Sequence, residues 1–391
     1  MKYNFDKVID RSGTSAEKVE GLKHIWGRTD LIPLWVADMD FATAPFVTDA
    51  IRKRCENEVL GYTGKPDSYY NAIINWVKQR YDLIVTKEVI NFVPGIVPGI
   101  GMAMNCFTQK GDKVMIQPPV YHPFAWVTTR NERTLVINPL RWENGMYRMD
   151  LDAFREQIKG CKLFILCNPH NPGGVVWTEA ELRAIADICY DEKVLVFSDE
   201  IHADLTLPPH THRPFATVSE KARMNSVTFM SPSKAFNMPG LSASHALIFN
   251  EDLRKRFRIY MDAGELDMGI VFAFLSVEAA YSHGTEWLDQ CLAYIQGNID
   301  FVDEFLKKHA PKIKAIRPEA SYLVWLDCRE LELSQKDLNE FFVDKAHLAL
   351  NDGEMFGKEG IGFMRLNVAS PRCIIEKAMK QLADAYQLYI K

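Results

Sequence analysis

No run of the 391-residue sequence is apolar for long enough to cross a membrane. The first eleven residues are polar and mixed in charge, without the apolar core of an export signal, so a cytoplasmic chain with no membrane partner is expected. Positive charge is not in excess. Lys and Arg number 46 against 51 Asp and Glu, a formal net charge of −5, which argues against a nucleic-acid binder held by a broad basic surface. The eight cysteines (Cys55, Cys106, Cys161, Cys167, Cys189, Cys291, Cys328 and Cys373) include no Cys-x-x-Cys pair. Buried, reduced thiols are therefore expected rather than a zinc site or a disulfide frame. The glycine-rich stretch Gly95-Ile96-Val97-Pro98-Gly99-Ile100-Gly101 matches neither a dinucleotide fingerprint nor a Walker A loop, and no Gly-x-Ser-x-Gly elbow occurs. His210-Thr211-His212 sits in a proline-rich loop with no third ligand nearby, so no metal is expected there. What remains is ordinary globular composition, 47% hydrophobic and 25% charged. A chain of this length buries a large core unaided and is expected to form about two to three domains.

The middle of the chain alternates short apolar runs with helical patterns. Strands are expected at Lys113–Gln117, Lys162–Cys167, Val194–Phe197, Ser226–Met230 and His245–Phe249. Their apolar character on both faces predicts a mostly parallel sheet covered by helices on both sides, an α/β arrangement. Thr178 is a plausible N-cap with Glu181 as its capping-box partner, and Leu182, Ile185, Ala186 and Cys189 follow at helical spacing. The C-terminal part reads differently. A long helical stretch is expected from about Val271 through Leu306, then a strand at Tyr322–Leu326, a helix near Gln335–Lys345, a strand at Gly362–Val368 and a final helix after Pro371. The expected division is a large domain over 49–287 and a smaller α+β domain that joins 1–48 to 288–391. Trp76, Trp126, Trp325, Met102 and Met104 are read as core or interface residues.

Three of the expected strands end in polar, distinctive sequences: Asn168-Pro169-His170-Asn171-Pro172-Gly173-Gly174, then Ser198-Asp199-Glu200-Ile201-His202, then Ser231-Pro232-Ser233-Lys234. In open α/β sheets ligands bind beyond the carboxyl ends of the strands. Parallel neighbours would bring Asn171, Asp199 and Lys234 to one rim. Taken singly, a strand-end aspartate is as readily a helix cap, and a lone lysine is usually solvated surface. Together they suit pyridoxal 5′-phosphate. The lysine amine forms the Schiff base, the aspartate keeps the pyridine nitrogen protonated, and the amide donates to the ring O3′.

These strings resemble the signature of fold-type I, aspartate-aminotransferase-like enzymes. The resemblance covers nearly the whole chain and takes in Trp35-Val36-Ala37-Asp38-Met39-Asp40-Phe41, Gly61-Tyr62-Thr63, Pro119-Val120-Tyr121-His122-Pro123-Phe124 and Arg365-Leu366-Asn367. The first of these, with Asp199-Glu200-Ile201-His202 and Leu350-Asn351-Asp352-Gly353, is most similar to the MalY- and PatB-like cystathionine β-lyase (C–S lyase) subgroup. The resemblance implies that Lys234 is the Schiff-base lysine and proton shuttle, that Asp199 pairs with the ring nitrogen, and that Asn171 donates to O3′ with His202 nearby. It implies that Tyr121 stacks on the ring, with proton transfer as a second possible task. Ser231, Ser233 and the N–H groups of Ile96 and Val97 would bind the phosphate. Tyr62 would reach the phosphate of a neighbouring subunit, hence a homodimer. Arg365, with Ala37, would hold the substrate carboxylate.

Two features depart from the wider aminotransferase pattern. No Gly-x-Arg follows Lys234, where Pro239-Gly240-Leu241-Ser242-Ala243 stands, and His202 occupies a place where tyrosine is common. Both departures resemble the lyase subgroup. The expected activity is α,β-elimination on cystathionine or related cysteine S-conjugates, giving a thiol, pyruvate and ammonia. An aminotransferase is the alternative, because it shares every step up to the carbanion. A binding protein that merely keeps the fold is disfavoured by the intact Lys234, Asp199, Asn171 and Arg365 set.

Overall fold

The computed structural model describes residues 3–389. Residues 1–2 and 390–391, the ends of the two segments assigned above to the small domain, lie outside the described residues. A seven-stranded sheet is built from β1 (Ile90–Val93), β2 (Lys113–Ile116), β3 (Thr134–Ile137), β4 (Cys161–Cys167), β5 (Leu195–Asp199), β6 (Ser226–Met230) and β7 (Ser244–Leu247), in the spatial order β1-β7-β6-β5-β4-β2-β3. The pairs from β6 across to β3 are parallel, and β7 runs antiparallel to both its neighbours.

The two-faced apolar runs have the predicted cause. In β4, Leu163 and Ile165 pack on one side with Ile100 and Met104 of the helix Ile96–Phe107. Phe164 and Leu166, pointing the other way, pack with Leu182, Ile185 and Cys189 of the helix Glu179–Asp191. This is the two-residue period of a strand with helices on both faces. Each fully buried large apolar side chain here contributes about 1.5–3 kcal/mol. The capping box forms as expected: Glu181 N donates to Thr178 Oγ1 at 3.2 Å and Thr178 N to Glu181 Oε2 at 2.8 Å.

The expected helical stretch consists of two helices, Val271–His283 and Thr285–His309. Gly284 parts them, where an added Cβ would lie 2.2 Å from the Ala280 carbonyl oxygen and 2.3 Å from the Phe236 ring. The apolar periodicity continues on both sides of this break, so the pattern alone does not show it. A second, four-stranded antiparallel sheet contains β8 (Lys314–Ile316), β9 (Leu323–Asp327), β10 (Asn351–Asp352) and β11 (Phe363–Asn367), in the order β8-β9-β11-β10. The short strand Ile32–Pro33 pairs with Leu348–Ala349, tying the N-terminal segment to the C-terminal part. Trp76, Trp325 and Met104 are buried, whereas Trp126 is 45% exposed. All eight cysteines are unpaired, and five are buried. Among the described residues no helix is long and apolar enough to cross a membrane.

Candidate active site

The register of the large sheet assembles the site. Cys167 is opposite Asp199 and Asp199 opposite Phe229, so the carboxyl ends of β4, β5 and β6 lie side by side. Beyond them is a cavity of about 210 Å³, lined among others by Asn171, Asp199, His202, Lys234, Tyr121 and Ala37. Its far wall is the turn Gly95–Pro98, including Ile96 and Val97. Here the helix Ile96–Phe107 begins, and unpaired N–H groups make such a terminus a site for an anion. Gly99 brings that helix close to the sheet, since a Cβ there would meet Val93 at 2.9 Å. Ser233 also lines the cavity. Ser231 lies just behind it, donating to the Ala243 carbonyl at 2.7 Å and accepting from Ser233 N at 3.1 Å.

Burial sets the protonation chemistry. The Lys234 amine is pushed down to about 8 by burial, with Asp38 opposing the shift, and it donates to the Ala37 carbonyl at 2.5 Å. The Asp199 carboxyl is pushed up to about 7 by burial, although Ile201 N donates to its Oδ1 at 3.0 Å. A buried carboxylate of this kind gains from a cationic N–H partner. His202 is held neutral, lowered to about 3 by burial and by the charges of Lys234 and Arg365, and its Nδ1 has no partner. Burial raises the Tyr121 phenol, which keeps its proton at neutral pH.

Arg365 is 3% exposed and stands behind Asn171 rather than on the cavity wall. Its guanidinium donates to Asn171 Oδ1 at 3.1 Å, to the Trp35 carbonyl at 3.1 Å and to Asn351 Oδ1 at 2.5 Å, while Nε has no partner. Burial lowers it to about 10, which still leaves it charged at neutral pH. Because arginine only donates, the Asn171 oxygen must face Arg365, leaving the amide NH₂ for another acceptor. A buried cation with an open donor suits a carboxylate.

The structure does not bring Tyr62 to this cavity. It is 98% exposed, beside Leu60, Met268 and Ile270, which are also exposed. Asn351 and Cys167 were not assigned roles from sequence. Asn351 is opposite Arg365 in the β10–β11 pairing, and Cys167 Sγ accepts from Asn171 N at 3.3 Å. The position of Cys167 at the end of β4 is the signal that marks it. His212 pairs with Glu200 at 2.8 Å, and among the described residues no cluster of three or more His, Cys, Asp or Glu side chains is arranged to hold a metal.

A mostly parallel sheet with an amine, a carboxylate and an amide at one rim, faced by a helix N-terminus, defines a class of enzyme. Residues 29–382 match the family model described as aminotransferase class I and II, and the chain belongs to that family. Within it, the chain is 38% identical over 384 residues to cystathionine β-lyase PatB of Bacillus subtilis (strain 168), covering 98% of this chain and 99% of the relative. It superposes with a TM-score of 0.96 on cystalysin from Treponema denticola, a structure containing pyridoxal 5′-phosphate, at 33% identity and full coverage of both chains. The pyridoxal-phosphate-bound C–S lyase of Staphylococcus hominis aligns with a TM-score of 0.91 at 35% identity, covering 98% of each chain.

Proposed function

We propose that this protein is a pyridoxal 5′-phosphate-dependent carbon–sulfur β-lyase that acts on cystathionine or related cysteine S-conjugates and yields a thiol, pyruvate and ammonia. The observation that carries the reading is the convergence of Asn171, Asp199 and Lys234 on one cavity. The full-length similarity to PatB and to the C–S lyase of Staphylococcus hominis supports the same reaction class, and the likeness to cystalysin supports the cofactor.

The residues present fit the cofactor. Among the described residues Lys234 supplies the only amine lining the cavity, Asp199 a buried carboxylate for the ring nitrogen, and Asn171 an amide donor. Ser233 and the N–H groups of Ile96 and Val97 would hold the phosphate, with Ser231 bracing Ser233 and His202 supporting the wall. Pyridoxal 5′-phosphate, when bound, supplies a ring that takes up the electron pair released at the substrate Cα. Arg365, set behind Asn171, would reach the substrate carboxylate with its unpartnered Nε, and Ala37 lines the cavity. Lys234, with its proton affinity lowered toward neutrality, removes the Cα proton as general base and can return it as general acid. Tyr121, still protonated, would cover the face of the ring. The Cβ–S bond then breaks, the proton held by Lys234 goes to the leaving sulfur, and water completes the conversion of the three-carbon product to pyruvate and ammonia.

A homodimer is part of the proposal. The exposed Tyr62, Leu60, Met268 and Ile270 support it as a surface for a second copy, from which Tyr62 would reach the neighbouring phosphate. A cytoplasmic location and the division at residues 48 and 287 complete the reading. An aminotransferase remains the second reading, since the chain belongs to that wider family. Supplying L-cystathionine without any keto acid separates the two. Continuous release of pyruvate and thiol is expected, whereas a single turnover that stops with the cofactor in its amine form would reverse the assignment.

A further inference from the structure

The segment of residues 35–38 has no regular structure of its own, yet each of its carbonyls accepts a side-chain hydrogen bond. Trp35 O accepts from Arg365 at 3.1 Å and Val36 O from Asn367 at 2.7 Å. Ala37 O accepts from Lys234 at 2.5 Å and from the Tyr322 hydroxyl at 3.0 Å, and Asp38 O from Asn367 at 2.6 Å. Groups from the second sheet and from the turn after β6, including the two proposed to handle the substrate proton and carboxylate, thus hang on one irregular strip of backbone.

The strip is anchored at its far end by charge. Lys18, on the helix Glu17–Trp26, is 0% exposed and places Nζ 2.8 Å from Asp40 Oδ2 and 3.6 Å from Asp38 Oδ1. Arg11 adds contacts of 2.6 Å to Asp38 and 3.3 Å to Asp40. Two cations therefore balance two carboxylates. Desolvation offsets most of what a buried ion pair gains, so this arrangement is poor as a device for stability alone. Its neighbour in sequence is Ala37, the acceptor of the Lys234 amine. Asp38 acts on that amine to raise its proton affinity, as does Asp199, while Arg365 opposes them; His202, held neutral, and the Tyr322 hydroxyl complete its surroundings.

We propose that Lys18, with Arg11, is a positioning residue for the reaction: by neutralising Asp38 and Asp40 it keeps the 35–38 carbonyls aligned with Lys234 and Arg365, and prevents an unbalanced carboxylate from locking the Lys234 amine in its protonated form. The inference rests on the lyase reading above for its consequence in turnover, but the charge balance itself is measurable without the cofactor.

The test is the pH midpoint at which Lys234 reacts with a small amine-directed reagent in the full-length, cofactor-free protein, followed by peptide mass spectrometry. Lys18→Met strips a cation from Asp38 and should raise the midpoint. Asp38→Asn removes the carboxylate and should lower it. Each shift should be about one pH unit, the usual scale for a neighbouring charge. Should Lys18→Met not fold, Arg11→Met carries the same expected sign. With cofactor and substrate, Lys18→Met should lose activity at neutral pH and regain part of it at higher pH, with a raised KM. A merely structural role would lower the melting temperature and depress activity equally at every pH. Midpoints that stay put, or that move the same way in the Lys18 and Asp38 variants, overturn the proposal. Opposite shifts in the two variants, together with a wild-type chain that takes up no pyridoxal 5′-phosphate, would instead sink the lyase reading and leave the charge balance standing.

Discussion

At the carboxyl ends of β4, β5 and β6 the site rests on parallel register, with Cys167 opposite Asp199 and Asp199 opposite Phe229. On its other side the site rests on long-range hydrogen bonds. Arg365 is held by groups from residues 35, 171 and 351, and the 35–38 strip is held at Asp38 by Lys18 from the helix Glu17–Trp26. The first region is a rim of parallel strand ends packed between two helical layers. The second is irregular backbone whose shape depends on polar side chains. The difference separates two tasks: the rim carries the groups that would hold the cofactor and move the proton, and the strip carries the groups that would orient the amino acid.

Variants of the two regions should therefore fail in different ways. The largest effect is expected at the rim. Lys234→Ala should cut pyruvate release from L-cystathionine by about 10³-fold or more, because base and cofactor attachment go together. Residual turnover near wild type would remove Lys234 from the mechanism. Asp199→Ala should leave the cofactor bound and lower kcat by about 10²–10³-fold, the scale of a lost buried electrostatic partner. Across the divide, Arg365→Ala should act mainly on KM, lowering kcat/KM by about 10²-fold as one partner of a buried charge pair is removed. If it lowered kcat alone, the assignment of the carboxylate to this side would break. The smallest effect belongs behind the rim. Thr178→Ala removes a helix cap and should cost about 1 kcal/mol in urea unfolding while leaving kcat and KM unchanged.

The same divide marks what could be read from the residues alone. Asn171, Asp199 and Lys234 stand at the ends of apolar runs, so their convergence follows from strand order and the alternation of strands and helices. The Thr178–Glu181 box is local and was legible for the same reason. Arg365 stood out only through its resemblance to a family motif. Its partners Trp35 and Asn351, and the pairing of Lys18 with Asp38 and Asp40, join positions that no periodicity connects. The reversed direction of β7 and the break at Gly284 were hidden too, because an apolar run carries no direction and one glycine scarcely disturbs a helical pattern. Tyr62 lies outside the cavity of its own chain, where the argument for it depends on a second copy.

The central claim is that Lys234 is the residue that binds pyridoxal 5′-phosphate. Incubating the purified protein with the cofactor, reducing with borohydride and mapping the peptides tests it directly. The account predicts a single pyridoxyl group, attached to the Lys234 peptide and lost in Lys234→Ala. A label on another lysine, or none at all, would contradict it.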